Sequence, residues 1–84
     1  ADEAVAQGLP RKQAYTFAAQ AVLGSAQMVL ETGMHPGALK DMVCSPGGTT
    51  IDAVCELERT GFRASVESAM HVCNEKSKKM TEGK

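Results

Sequence analysis

The sequence has no tryptophan, one tyrosine and two phenylalanines, so aromatic residues make up only 4% of its 84 positions. Large rings supply much of the buried area in a core. A chain this short and this poor in them covers a low fraction of its own surface. Cys44, Cys55 and Cys73 are an odd set without a C-x-x-C pair. That argues against a disulfide framework and fits a reducing compartment, the cytoplasm. His35 and His71 are too scattered to complete a zinc site, so no metal is expected. No apolar run approaches the ~18 residues of a membrane span, and no charged n-region leads into an apolar h-region as in a signal peptide. Neither sign of charge dominates: ten acids meet nine bases, for a net charge of -1. Phosphate contacts need clustered Lys or Arg, so nucleic acid is excluded as the main partner. Among the eight glycines there is no G-x-G pair, and with it goes the dinucleotide fingerprint. No Ser-His-Asp order and no carboxylate pair stand out.

What the chain does have is helical periodicity. Ala1 to Gln7 reads as a helical stub ended by Gly8. Opening on Ala1 in what looks like mid-helix, the chain is expected to be processed or to be part of a larger protein. Pro10, well suited to a first helical turn, starts a long helix over Arg11 to about Thr32, ended by Gly33. Ala14, Phe17, Ala18, Ala21, Val22, Ser25, Met28 and Val29 share one face by three-four spacing. Tyr15, Ala19, Leu23, Ala26 and Leu30 form a second. A helix apolar around most of its girth is buried on more than one side, which this chain cannot provide alone. Gly24, in mid-helix at a cost of about 1 kcal/mol relative to Ala, suggests close approach by another helix. An oligomer is therefore expected.

A short helix follows His35-Pro36-Gly37 to about Val43, with His35 as its cap and with Leu39, Met42 and Val43 inward. The next spans Thr49 to about Thr60, with Thr49 as N-cap and Asp52 three residues on, close to a capping box. Ile51, Val54, Cys55 and Leu57 form its apolar side, and Gly61 stops it. A last helix begins near Phe62 and carries Val66, Ala69, Met70 and Cys73 on one side. His71 reads as packing or surface. Lys76 to Lys84, with Lys76, Lys78 and Lys79 as a solvated basic end, is expected to fray. No convincing strand is present. The fold class is all-α: one long central helix and three shorter ones after a leading stub.

Chemistry concentrates at Ser45-Pro46-Gly47-Gly48-Thr49-Thr50-Ile51. Glycines let a ligand approach the backbone. The following helix start offers free N–H groups at the positive end of its dipole. The Ser45, Thr49 and Thr50 hydroxyls stand within reach. A carboxylate or a phosphate suits such a loop. The Gly-Lys-Ser/Thr ending of a P-loop is absent, and a simple capped turn accounts for the same residues. Cys44, beside this loop, is read as an inert buried thiol.

The loop, together with His35-Pro36-Gly37-Ala38-Leu39-Lys40-Asp41 before it and Ala53-Val54, Leu57-Glu58 and Gly61-Phe62-Arg63 after it, closely resembles the C-terminal domain of the pyrroline-5-carboxylate reductase family. Gly8-Leu9-Pro10-Arg11 and Ala18-Ala19-Gln20 fit the same pattern, so the likeness covers about residues 2 to 78. The resemblance implies that residues 1–84 are a helical dimerisation domain interlocked with a second copy. It implies a separate N-terminal Rossmann domain, absent from this sequence, and further assembly into a decamer in many members. Such enzymes reduce 1-pyrroline-5-carboxylate to L-proline with NADPH or NADH, the last step of proline biosynthesis. By motif position, Thr50 would meet the imine nitrogen as the catalytic residue. Ser45, Gly47, Gly48, Thr49 and Thr50 would bind the substrate, its carboxylate held by Ser45 and the amides of Gly48, Thr49 and Thr50, and Val43 would border the ring and the nicotinamide. Alone, this domain is expected to bind no cofactor and to be inactive. Two other readings stay open from the residues themselves: a stand-alone helical oligomerisation module, and a small carboxylate- or phosphate-binding protein without enzymatic activity.

Overall fold

A computed structural model describes residues 1–83, all as helices and the turns between them. The order is α1 (Asp2–Ala6), α2 (Arg11–Thr32), α3 (Pro36–Val43), α4 (Thr49–Arg59) and α5 (Phe62–Glu82). The chain divides into two units, Ala1–Met42 and Val43–Lys84.

In the first unit, α1 ends in a paired turn. The Leu9 N–H donates to the Ala4 carbonyl at 2.9 Å and the Gly8 N–H to the Val5 carbonyl at 3.0 Å. This is the Schellman pattern, and it needs a residue with positive φ; Gly8 supplies it at +108°. The chain then turns back so that α1 packs on α2, and Arg11 pairs with Asp2. Pro10 is the N-cap of α2, one residue ahead of the expected helical position, and its carbonyl accepts the Ala14 N–H at 2.9 Å. Twenty-two residues give α2 a length of about 33 Å. Gly33, at φ +66°, ends it as expected.

Under α1 lies Ala14, 1% exposed and the only buried hydrophobic among the described residues. Ala18 and Val29 are half-buried, and the rest of both α2 faces is open. Val22 is 71% exposed and Leu30 84%. Among the described residues nothing comes within 4 Å of a Cβ placed on Gly24. The Ser25 hydroxyl donates to the Ala21 carbonyl at 2.8 Å. That bond satisfies the hydroxyl internally, so this face can lose its water without stranding a donor.

In the second unit, α4 packs on α5 through a tight joint. The Thr60 N–H donates to the Glu56 carbonyl and the Ser65 N–H to the Gly61 carbonyl, with Gly61 at φ +81°. The sequence placed fraying from Lys76; instead α5 is helical to Glu82 and, at 21 residues, nearly matches α2. Glu and Lys are strong helix formers even without burial. Lys78 also pairs with Glu75 at 3.7 Å, and the Thr81 hydroxyl donates to the Ser77 carbonyl at 3.1 Å. Lys84, the end of that expected tail, lies outside the described residues. Of the other residues expected inward, Leu39, Ile51 and Val54 are half-buried, whereas Met42, Val43, Leu57, Val66, Met70, Cys55 and Cys73 are exposed. The periodicity that marks them is real, and most of these side chains stay uncovered among the described residues.

Candidate functional site

The loop between α3 and α4 is built around one turn. Ser45 accepts the Gly48 N–H at its carbonyl, 3.0 Å away. Pro46 and Gly47 are the central residues, and Gly47 sits at φ +70°. Proline followed by a positive-φ glycine is the requirement of a type II turn. Gly48 has extended geometry (φ -83°, ψ 177°) and is the N-cap of α4. A Cβ on it would meet the Ser45 carbonyl oxygen at 3.2 Å and the Ser45 Cβ at 3.4 Å, so the second glycine lets the turn close tightly against the helix start.

This corrects the expected helix start in two respects. Thr49 is the first residue of α4, not its N-cap, and no side chain caps the helix. No capping box forms, because a glycine occupies the cap position and has no side chain to offer. The Gly48 N–H, carried over as a carboxylate donor, is already spent on Ser45. The free donors include the N–H groups of Thr49, Thr50 and Ile51, which find no backbone acceptor among the described residues. Moving the cap by one residue brings in Ile51, which the sequence reading missed; the Gly-Gly pair after Ser-Pro was the signal that could have found it.

The hydroxyls follow the same logic. Thr16, Ser25, Thr32, Thr60 and Thr81 each donate to the carbonyl four residues earlier. Thr49 and Thr50 stand at a helix start, where no preceding helical turn presents such a carbonyl. Among the described residues neither they nor Ser45 makes a side-chain hydrogen bond, and all three are exposed. Ser45, Gly47 and Gly48 thus lie in the turn and Thr49 and Thr50 in the first turn of α4, so that these amides and three hydroxyls, unbonded among the described residues, stand at its positive end. Val43 is the last residue of α3, 60% exposed. Cys44 is half-buried and a free thiol. Asp52, in the first turn, is the local negative charge. At the far end of α4, Arg59 grips Glu56 through two hydrogen bonds, one from Nε at 2.9 Å. That contact holds the Glu56 carboxyl below the usual carboxylate range. His71 is exposed on α5, and no group of three or more metal-ligating side chains gathers among the described residues.

Exposed apolar faces on two long helices, together with a glycine-turned helix start rich in N–H and O–H donors, define a class: an all-helical domain whose apolar faces call for a partner. A family model for pyrroline-5-carboxylate reductase dimerisation matches residues 1–80. The chain belongs to that family and spans its dimerisation domain. It is 72% identical over 96% of its length to the pyrroline-5-carboxylate reductase of Escherichia coli (strain K12), covering 30% of that protein. It is 56% identical over 95% of its length to the enzyme of Methanosarcina acetivorans, again covering 30%. Among solved structures it is similar to a Plasmodium falciparum pyrroline carboxylate reductase with NADP bound. There the TM-score is 0.89 with 35% identity, covering 94% of this chain and 30% of that one. The chain thus spans about a third of the length of these relatives. No helix is long and apolar enough to cross a membrane among the described residues.

Proposed function

We propose that this chain is the dimerisation and substrate-binding part of a cytoplasmic enzyme that reduces 1-pyrroline-5-carboxylate to L-proline with NADPH or NADH. The observation that supports this most directly is the unspent donor set at the start of α4, three N–H groups and three hydroxyls around a closed turn. It suits one carboxylate, which takes several donors in a small volume. It does not suit a dinucleotide, whose cradle is a G-x-G turn opening a helix after a strand, and this chain has neither. The cofactor belongs on a separate Rossmann domain of the same polypeptide, where it supplies hydride.

In this reading the N–H groups of Thr49, Thr50 and Ile51 hold the carboxylate, with the Ser45 hydroxyl as a further donor. Gly47 and Gly48 shape the turn, and Val43 borders the ring. Anchored by its carboxylate, the substrate presents its ring nitrogen to the Thr50 hydroxyl. A hydroxyl is too weak an acid to originate a proton near neutral pH. Thr50 therefore orients the nitrogen and relays a proton to it from solvent. Two copies join through the apolar faces of α2 and α5, and five such dimers form a decamer.

The test is steady-state kinetics of the full-length enzyme. Thr50→Ala should lower kcat/KM by roughly 10²–10⁴-fold, the usual range for a positioned proton-transfer group, and Thr50→Ser should restore most of it. Equal activity of the Ala and wild-type enzymes would refute the role of Thr50. A stand-alone oligomerisation module would instead show no dependence on this loop at all.

A further inference from the structure

We propose that His35 is a proton-controlled cap on α3, so that this helix is secured while the imidazole is neutral and released when it is protonated. His35 occupies the N-cap position. Its carbonyl accepts the N–H groups of Ala38 at 2.9 Å and Leu39 at 3.2 Å, and Pro36 follows as the first helical residue. Its Nδ1 accepts the Gly37 N–H at 2.9 Å. An N-cap side chain normally satisfies such an amide with an Asn, Asp, Ser or Thr oxygen; here an imidazole does so. Gly37 is part of the device, since a Cβ there would lie 3.0 Å from Nδ1 and 3.2 Å from Cε1. Glycine leaves the ring room to fold over the amide it caps.

The chemistry has one sign. A neutral imidazole has one acceptor nitrogen, and accepting at Nδ1 places its proton on Nε2. A second proton turns Nδ1 into a donor facing the Gly37 donor, so the cap bond is lost. It also sets a cation at the positive end of a helix, which is unfavourable in the same direction. The cap is therefore held while the ring is neutral and lost when it takes a second proton. The charged groups on α3 itself, Lys40 and Asp41, pair with each other at 3.2 Å. Glu31, in the last turn of α2, accepts from Gln27 at 2.8 Å. Among the described residues no ion pair or other side-chain hydrogen bond reaches the His35 ring.

The experiment is nuclear magnetic resonance on the full chain as a function of pH, reading imidazole nitrogen shifts and amide-exchange protection factors over Leu39 to Val43. The neutral His35 ring should carry its proton on Nε2. Protection in α3 should fall roughly five-fold as the ring is protonated, the equivalent of one lost cap. His35→Asn keeps an acceptor that does not titrate, so it should hold wild-type protection with no acid step. His35→Ala should lack the protection throughout, and His71→Asn should keep the step. A proton on Nδ1 in the neutral ring, constant protection in the wild type, or an acid step that persists in His35→Asn would each overturn the proposal.

Discussion

Replacing Gly47 with alanine of each hand isolates the backbone geometry of the site loop. Gly47 lies at φ +70°, and a Cβ there meets nothing within 4 Å. Space is thus available, and the whole penalty for L-alanine is the cost of a left-handed backbone, about 1–2 kcal/mol. D-Alanine prefers that hand and also narrows the unfolded ensemble, a gain of about 0.4–1 kcal/mol where the native geometry is compatible. Each kcal/mol moves Tm by about 4–8 °C in a domain of this size. The two variants should therefore lie on opposite sides of the wild type. Eighty-four residues are within reach of chemical synthesis, and melting curves at one protomer concentration keep association from confounding the comparison. On the proposed function, Gly47→Ala in the full-length protein should raise KM more than it lowers kcat, because it weakens the turn and leaves the Thr50 hydroxyl in place. If D-alanine destabilises as much as L-alanine, crowding and not handedness governs position 47. If L-alanine costs nothing, the type II turn is not the stable form of the loop.

Two further outcomes follow from the helix surfaces. Val22, 71% exposed beside Ala21, Ser25, Ala26 and Val29, should be buried by a second copy, and a two-fold interface counts each substitution twice. Val22→Ala then removes about two methylenes per copy at roughly 0.8 kcal/mol each, and sedimentation equilibrium should show the dimer weakened by at least a hundred-fold; an unchanged dissociation constant would place the interface elsewhere. At the end of α4, Arg59→Ala should move the Glu56 titration upward toward the ordinary carboxylate range, as followed by side-chain carbon resonances. The contact depresses the Glu56 titration, so its contribution is present at neutral pH and lost as pH falls through that titration. Both groups are exposed, so global stability should hardly change.

Some features were legible in the sequence for physical reasons, and others could not be. The bounds of α2 and α3 were clear because Pro10, Gly33 and the His35-Pro36-Gly37 run act on the backbone locally, whatever surrounds them. The donor loop was legible for the same reason. Its register was misjudged by one residue because threonine is a good N-cap in isolation, whereas here the Ser45–Gly48 turn makes Gly48 the cap. The tail of α5 is polar enough to suggest fraying, yet its Glu and Lys residues favour the helix. Burial was the largest gap. Periodicity tells which side chains share a face, but whether Met42, Leu57 or Met70 is dry depends on a neighbour that no intrachain pattern contains.

With Ala14 the only buried hydrophobic among the described residues, there is almost no core to collapse around before another chain is met. Ordering and encounter then become a single kinetic event, second order in concentration. Refolding should quicken as protein is added and stall on dilution. Subunit exchange between finished assemblies should be as slow as unfolding itself. Newly made copies that emerge close together in space have the advantage, since each must find its complement before its bare helices find something else.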